Sequence, residues 1–228
     1  MGLILFGAIA LISFLVQWRF KNKFKKYSEI ALSSGLSGAD IAKKMLSDHG
    51  IHDVEIISVD GQLSDHYNPD NRTVNLSPDV YHGRSIAAAA VAAHECGHAV
   101  QHAKAYSWLQ FRSSMVPVVG VASNIIKWTL MIGFFLLLFS GNPIVLAVGV
   151  GALAIVTIFS FITLPVEFDA SRRALAWLQT EKGIMQTSLE NDQAKDALWW
   201  AAMTYVVAAL ASLATLVYYA SMLLGRRN

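Results

Sequence analysis

The sequence predicts a mainly helical integral membrane protein with about four transmembrane helices and a small α+β domain. Of its 228 residues, 54% are hydrophobic and only 15% are charged, and the mean hydropathy is +0.44. Soluble domains are usually about 45–50% apolar and about 25% charged. In addition, four apolar stretches approach the length of about 20 residues that a membrane-crossing helix needs. This composition excludes a disordered chain and disfavours an ordinary soluble domain.

The first apolar stretch lies at the N-terminus, from Leu3 to Trp18. Five basic residues follow it at once, namely Arg19, Lys21, Lys23, Lys25 and Lys26. A secretory signal peptide would carry its positive charge before the apolar run. We therefore interpret residues 1–18 as a transmembrane anchor with its basic flank inside the cell.

Two further apolar stretches, Met115 to Phe139 and Ile144 to Leu164, are separated only by Ser-Gly-Asn-Pro. They predict a transmembrane hairpin over residues 115–164. The last stretch, Leu198 to Leu224, predicts a C-terminal membrane helix within residues 198–228. Aromatic pairs lie near both of its ends, as in interfacial belts; they are Trp199, Trp200, Tyr218 and Tyr219.

The distribution of basic residues predicts the topology. Residues 19–114 and 165–197 hold all but three of the 18 Lys and Arg residues. The positive-inside rule then places both segments in the cytoplasm, although the basic tail Arg226-Arg227 would lie outside. The net charge of +2 gives no indication of nucleic-acid binding, and the expected surroundings are a lipid bilayer.

The polar segment 19–114 predicts a basic helical linker and a small α+β domain. Leu36 to Gly50 is expected to be helical, because Ser37 is a suitable N-cap with Asp40 three residues later. Short strands are predicted at 54–59, 62–67 and 72–76, with Asp60-Gly61 joining the first two in a hairpin. An Ala-rich helix over 85–103 begins after Ser85. In segment 165–197 a helix is expected to begin at Pro165, and residues from Ser188 onward lead into the last apolar stretch.

The Ala-rich helix carries His94-Glu95-Cys96-Gly97-His98, an H-E-x-x-H motif. Two histidines four residues apart project from one helix face and can bind a single Zn²⁺. Glu95 can reach a zinc-bound water as general base. Cys96 points to the opposite face and is expected to be a core residue.

A catalytic zinc needs a third protein ligand. Glu167 and Asp169 follow the third apolar stretch, on the side of the membrane where the topology also places His94 and His98. Glu167 is the better candidate. Alternatively, both carboxylates only complement the positive N-terminal end of the helix expected to begin at Pro165.

Two long stretches, DHYNPDNRTVNLSPDVYHGRSIAAAAVAAHECGHAVQHA and LPVEFDASRRALAWL, resemble the YugP-type family of neutral zinc metallopeptidases, which are integral membrane proteins of bacteria. More distantly, the motifs are similar to those of the HtpX and CAAX-prenyl membrane proteases, where E-x-x-A-D follows H-E-x-x-H. The resemblance implies that Glu167 is the third zinc ligand. Ser171 occupies the position of the aspartate that supports a ligand histidine, so Ser171, Asp169 or another group must take that role.

The sequence thus predicts a zinc-dependent endopeptidase of the bacterial cell membrane, with a zincin-like domain acting on peptides or membrane proteins at the cytoplasmic surface. Two alternatives remain: a site-2-type intramembrane protease and a non-catalytic zinc-stabilised scaffold. In zinc peptidases of this helix type, an edge strand before the zinc helix commonly pairs with an extended substrate. Thr73 to Ser77 lies at that position, and the alternative is an ordinary core strand. Candidates for oxyanion stabilisation are His66, Tyr67, His102, Arg172 and Arg173. The oligomeric state and the role of Ser123, Asn124 and Lys127 stay open.

Overall fold

The computed structural model describes residues 2–181 and 183–225, and the chain is mainly helical over them. The basic tail Arg226-Arg227, predicted to lie outside the cell, falls outside the described residues. In chain order the elements are α1 (Gly2–Ser28), α2 (Gly38–Asp48), β1 (Glu55–Ser58), β2 (His66–Asn68), β3 (Thr73–Leu76), α3 (Pro78–Tyr81), α4 (Ile86–Ala103), α5 (Ser107–Ser140), α6 (Ile144–Thr180) and α7 (Ser188–Leu224).

In the part of the chain that the structure describes, four helices are long and apolar enough to cross a membrane, and they contain the four predicted apolar stretches. They are Ile4–Ser28 within α1, and α5, α6 and α7. The 37 residues of α6 would span about 55 Å at about 1.5 Å per residue, whereas the hydrocarbon core is about 30 Å thick. The α6 helix is therefore longer than a single crossing of the hydrocarbon core requires. Among the described residues, α4 is not one of the candidate spans.

The chain divides into two compact units. One comprises the described parts of residues 1–15, 110–164 and 204–228 and is built from apolar helices. There, a Cβ on Gly133 would lie 2.5 Å from the backbone nitrogen of Leu146, so α5 and α6 are in close backbone contact. The Oγ atoms of Thr157 and Ser212 lie 2.7 Å apart and link α6 to α7.

The second unit comprises residues 16–109 and 165–203 and contains the sheet, α4 and the predicted site residues. The N-cap predictions are confirmed here. Ser37 and Asp40 form a complete capping box at the start of α2, and the Ser85 side chain accepts a hydrogen bond from the backbone of Ala88. The alanines of α4 are buried against α2 and the sheet, which fixes this helix in the core.

The predicted hairpin around Asp60-Gly61 is wrong. β1 pairs with β3 in parallel and β2 pairs with β3 antiparallel, so the strand order is β1-β3-β2. Residues 62–64 form a turn in which Leu63 has a positive φ of 57°, and Asp65 accepts hydrogen bonds from the backbone and hydroxyl of Ser77. Because of these contacts, β2 begins at His66 and not at the predicted residue 62.

The prediction of an edge strand at Thr73 to Ser77 is also wrong, because β3 is the central strand and all four of its residues are buried. A strand with both faces covered belongs in the middle of a sheet. The two edges of this sheet are β1 and β2.

No helix begins at Pro165, contrary to the prediction, since α6 runs without a break from Ile144 to Thr180. A proline inside a helix costs about 3 kcal/mol. The residues that follow explain why the helix continues: Val166, Ala170, Ala174 and Leu178 recur every fourth residue, and each is 0% exposed. Burial of this stripe offsets the cost of the proline.

Candidate metal centre

The two motif histidines lie side by side on α4, as their spacing predicts. Their ring centroids are 4.8 Å apart and the rings are nearly perpendicular, at 85°. The side chain of His98 is buried and that of His94 is partly exposed. This arrangement leaves the site open on the His94 side.

Glu167, on α6, completes a three-residue group. Its Oε2 atom lies 3.3 Å from His94 Nε2 and 3.7 Å from His98 Nε2. One possible ligand atom from each of the three residues lies within 4.8 Å of the other two. Ligands bound tetrahedrally to zinc at about 2.0–2.2 Å would lie about 3.4 Å from one another. The separations from Glu167 thus suit one small metal ion.

The hydrogen bonding of Glu167 supports the same interpretation. Its Oε2 atom is buried and has no hydrogen-bond partner, although buried polar atoms are nearly always paired. Burial lowers the pKa of His98, but the facing carboxylate of Glu167 more than compensates and raises that pKa above its usual value. The centre therefore favours a positive charge between these groups, and a metal cation would supply one. His94, His98 and Glu167 could bind a metal ion.

A buried hydrogen-bond network orients His98. Gln101 is 0% exposed, and its Oε1 lies 3.1 Å from His98 Nδ1. Its Nε2 donates to Asp169 Oδ2 at 2.9 Å and to the carbonyl of Val166 at 2.8 Å. Because both acceptors require the amide nitrogen, Gln101 Oε1 must accept from Nδ1–H, leaving Nε2 of His98 free to bind a metal.

Ser171 supports the other histidine. Its hydroxyl lies 3.1 Å from His94 Nδ1. Asp169 acts on His98 through Gln101, and it also contacts Arg172 and Arg173. Ser171 and Asp169, the two groups considered from the sequence, therefore each help to orient one histidine ring: Ser171 that of His94, and Asp169 that of His98.

Gln101 was not predicted from the sequence. The available signal was its spacing, since it lies three residues after His98 and therefore on the ligand-bearing face of α4. What could not be read from the sequence was its partner, because Asp169 is distant along the chain and reaches Gln101 only through the packing of α6 on α4.

Glu95 lies beside the metal group and is not part of it. It is mostly buried, and its Oε2 accepts a hydrogen bond of 3.0 Å from the backbone nitrogen of Tyr67 in β2. The carboxylate is thus held by an edge strand of the sheet, next in sequence to His94.

Among the five candidates for oxyanion stabilisation, Tyr67 and His102 form a pair, with the phenol oxygen 2.7 Å from His102 Nδ1. Arg172 and Arg173 both contact Asp169, and His66 Nδ1 lies 2.7 Å from the carbonyl of Ser64. Tyr67 therefore binds Glu95 through its backbone N–H and His102 through its phenol oxygen. The other three candidates have different partners.

Small residues in the motif hold α4 close to its neighbours. A Cβ on Gly97 would lie 2.6 Å from the carbonyl oxygen of Ala170, so the backbones of α4 and α6 touch beside the three candidate metal ligands. Cys96 faces the other way, as predicted, and is fully buried with its Sγ 3.6 Å from the carbonyl of Ala42 in α2. Burial raises the pKa of the Cys96 thiol far above its usual value.

Comparison with known proteins agrees with the resemblance noted in the sequence. The family described as putative neutral zinc metallopeptidase matches residues 2–224. The chain is 41% identical over 217 residues to the putative membrane protease YugP of Bacillus subtilis (strain 168), covering 95% of this chain and 94% of that protein. No solved structure matches the chain. The chain therefore belongs to the family described as putative neutral zinc metallopeptidase.

Proposed function

We propose that this protein is a membrane-embedded zinc endopeptidase that hydrolyses peptides or membrane proteins at the cytoplasmic surface. The observation that carries the proposal is the convergence of two histidine nitrogens and a buried, unpaired carboxylate oxygen, with a separate glutamate alongside. Three protein ligands are typical of catalytic zinc, whereas structural zinc usually has four. The group at this centre has three members among the described residues.

In this proposal His94, His98 and Glu167 hold the zinc, which makes the site that of a gluzincin. When bound, the ion would polarise the scissile carbonyl and lower the pKa of a water molecule. Gln101 and Ser171 keep both rings oriented with Nε2 toward the centre. Glu95 takes a proton from the attacking water and returns it to the leaving amine.

The same geometry suggests how a substrate binds. β2 is an edge strand, and the Tyr67 backbone N–H points to Glu95 instead of to β3. An extended peptide added beside β2 would place its backbone next to the general base. We propose β2 for this role in place of β3, and Tyr67 with His102 as the pair nearest to the developing oxyanion.

The cytoplasmic placement rests on the charge distribution, because residues 19–114 and 165–197 hold nearly all of the basic residues, which marks cytoplasmic segments. The position of α4 in the core of the polar unit supports hydrolysis at the membrane surface. The site-2 alternative would need α4 to lie within the membrane, and α4 is not one of the candidate spans among the described residues.

Replacing Glu95 tests the proposal. Glu95→Gln keeps the size and the hydrogen-bond acceptor for Tyr67 but removes the base, so we expect zinc content to stay as in wild type while peptide hydrolysis falls by about 10²–10⁴. Glu55→Gln, at an exposed glutamate on β1, is the matched control and should cleave normally. Substrates that remain bound to Glu95→Gln in cells would identify the substrate class.

Two outcomes would contradict the proposal. Hydrolysis by Glu95→Gln at the wild-type rate would exclude Glu95 as the base. A wild-type protein that binds zinc fully but leaves every offered peptide intact, with a cellular phenotype indifferent to Glu95→Gln, would favour the scaffold alternative.

A further inference from the structure

A groove of about 330 Å³ lies between α6 and α7 within residues 165–203. Its lining includes Ser171, whose hydroxyl lies 3.1 Å from His94 Nδ1, so one part of the groove adjoins the candidate metal centre. The groove walls are mainly apolar and include Leu175, Leu198 and Ala202. Phe168 and Trp199 also line it and pack against each other, with ring centroids 6.5 Å apart and ring planes tilted by 52°, and both rings are partly exposed to solvent. The described structure therefore leaves an apolar slot open between two candidate membrane helices.

Along the helix axes, the two cationic side chains of this groove are offset from its two aromatic rings. Arg172 is one turn after Phe168 on α6, and Lys195 is one turn before Trp199 on α7. The short connection 181–187 makes the two helices antiparallel neighbours. The cations are thus about 6 Å from the rings along the helices, toward the ends remote from the apolar stretches. This order, apolar then cationic, follows the order of a phospholipid from chain to headgroup.

The charge at the rim is positive. Lys195 is exposed and has no ion pair among the described residues. The Arg172 side chain is 76% exposed, and it shares the Asp169 carboxylate with Arg173, which leaves one net positive charge in that cluster. Within the described chain, no acidic side chain lines the groove.

We propose that this groove binds an anionic phospholipid, with an acyl chain lying against Phe168, Leu198 and Trp199 and the phosphate against Arg172 and Lys195. The proposal goes beyond the peptidase function and does not depend on it. An apolar helix docking here would bury the Lys195 ammonium without a counter-charge, which is costly. A lipid phosphate supplies that charge, and the aromatic rings are suited to the membrane interface.

Fluorescence quenching in nanodiscs tests the proposal on the full-length protein. Brominated phosphatidylglycerol or brominated phosphatidylcholine is added at equal fractions to a phosphatidylcholine bilayer, and the Trp199 signal is obtained as the difference between wild type and Trp199→Phe. We expect the anionic lipid to quench Trp199 at a several-fold lower fraction. Lys195→Gln should reduce this preference roughly fivefold, the factor that one basic residue contributes near a membrane surface.

Lys43→Gln, at an exposed lysine of α2 that does not line the groove, is the matched control and should leave the preference unchanged. Equal quenching by both lipids, unaffected by Lys195→Gln, would overturn the proposal by showing only general contact with the bilayer. Absence of Trp199 quenching by either lipid would overturn it in favour of another occupant, such as an apolar protein helix.

Discussion

Replacing Gly97 with alanine should disturb the metal centre although Gly97 is not a ligand. The added methyl group would lie 2.6 Å from the carbonyl oxygen of Ala170 and 3.1 Å from its carbonyl carbon. Carbon–oxygen contacts normally begin at about 3.3 Å, so α4 and α6 must separate by about 0.7 Å. Both of these Ala170 atoms belong to the backbone of α6, which cannot move aside as a flexible side chain can.

The consequence follows from where the ligands lie. His94 and His98 belong to α4 and Glu167 to α6, so a separation of about 0.7 Å is well beyond the tolerance of about 0.2 Å for metal–ligand distances. We expect zinc affinity to fall at least about tenfold. Overpacking should also lower the free energy of unfolding by about 1–3 kcal/mol.

Two measurements check this prediction. Zinc content after equilibration with a graded chelator gives the affinity, and thermal unfolding of the metal-free protein in detergent separates the packing cost from the loss of metal. Gly151→Ala is the matched control, because nothing lies within 4 Å of a Cβ at that helical glycine. Unchanged zinc affinity and unfolding in Gly97→Ala, or equal changes in both variants, would refute the reasoning.

Three other predictions concern the same unit. Gln101→Leu should weaken zinc binding about 10–100-fold in the chelator assay, since it removes the support of a ligand histidine; wild-type affinity would contradict the proposed network. Hydrogen bonds from Ser37 hold the pKa of Asp40 below its usual value. The ionised Asp40 carboxylate should therefore stabilise the folded protein fully above the unfolded-state pKa of about 3.9, and this stabilisation should be lost as pH falls through the lower folded-state pKa. The difference in Tm between wild type and Asp40→Asn should therefore shrink only in that acid range, and a constant difference would count against the capping role. Cys96 should not react with maleimide until the protein unfolds, so labelling of a Lys43→Cys variant would report on position 43 alone. If the polar unit is cytoplasmic, this variant should be labelled in intact cells only by a membrane-permeant reagent. Labelling by an impermeant reagent would show the opposite topology.

Features that depend on neighbouring residues are predictable from the sequence. Ser37 and Ser85 are recognisable as N-caps because a cap needs only a suitable side chain and the next three residues. The spacing of His94 and His98 places them on one helix face for the same reason. The lengths of the apolar stretches likewise suffice to indicate four membrane helices, because a span is defined by a continuous run of residues.

Features that depend on distant contacts are not predictable in this way. Pro165 indicates a helix start by its local chemistry. However, α6 continues past Pro165 because the stripe of residues that begins at Val166 is buried. Asp60-Gly61 favours a hairpin, but the central position of β3 is decided by pairing across the sheet. Gln101 has an ordinary sequence context, and its role arises only where α6 brings Asp169 to α4.

Zinc stoichiometry in a Glu167 variant tests the central claim most directly. The wild-type protein should bind one zinc ion per chain, Glu95→Gln should bind the same amount, and Glu167→Ala should lose most of its zinc under the same chelator. Thermal unfolding of the metal-free forms shows whether Glu167→Ala is folded. A folded Glu167→Ala protein that holds zinc as tightly as wild type would contradict the proposed metal centre.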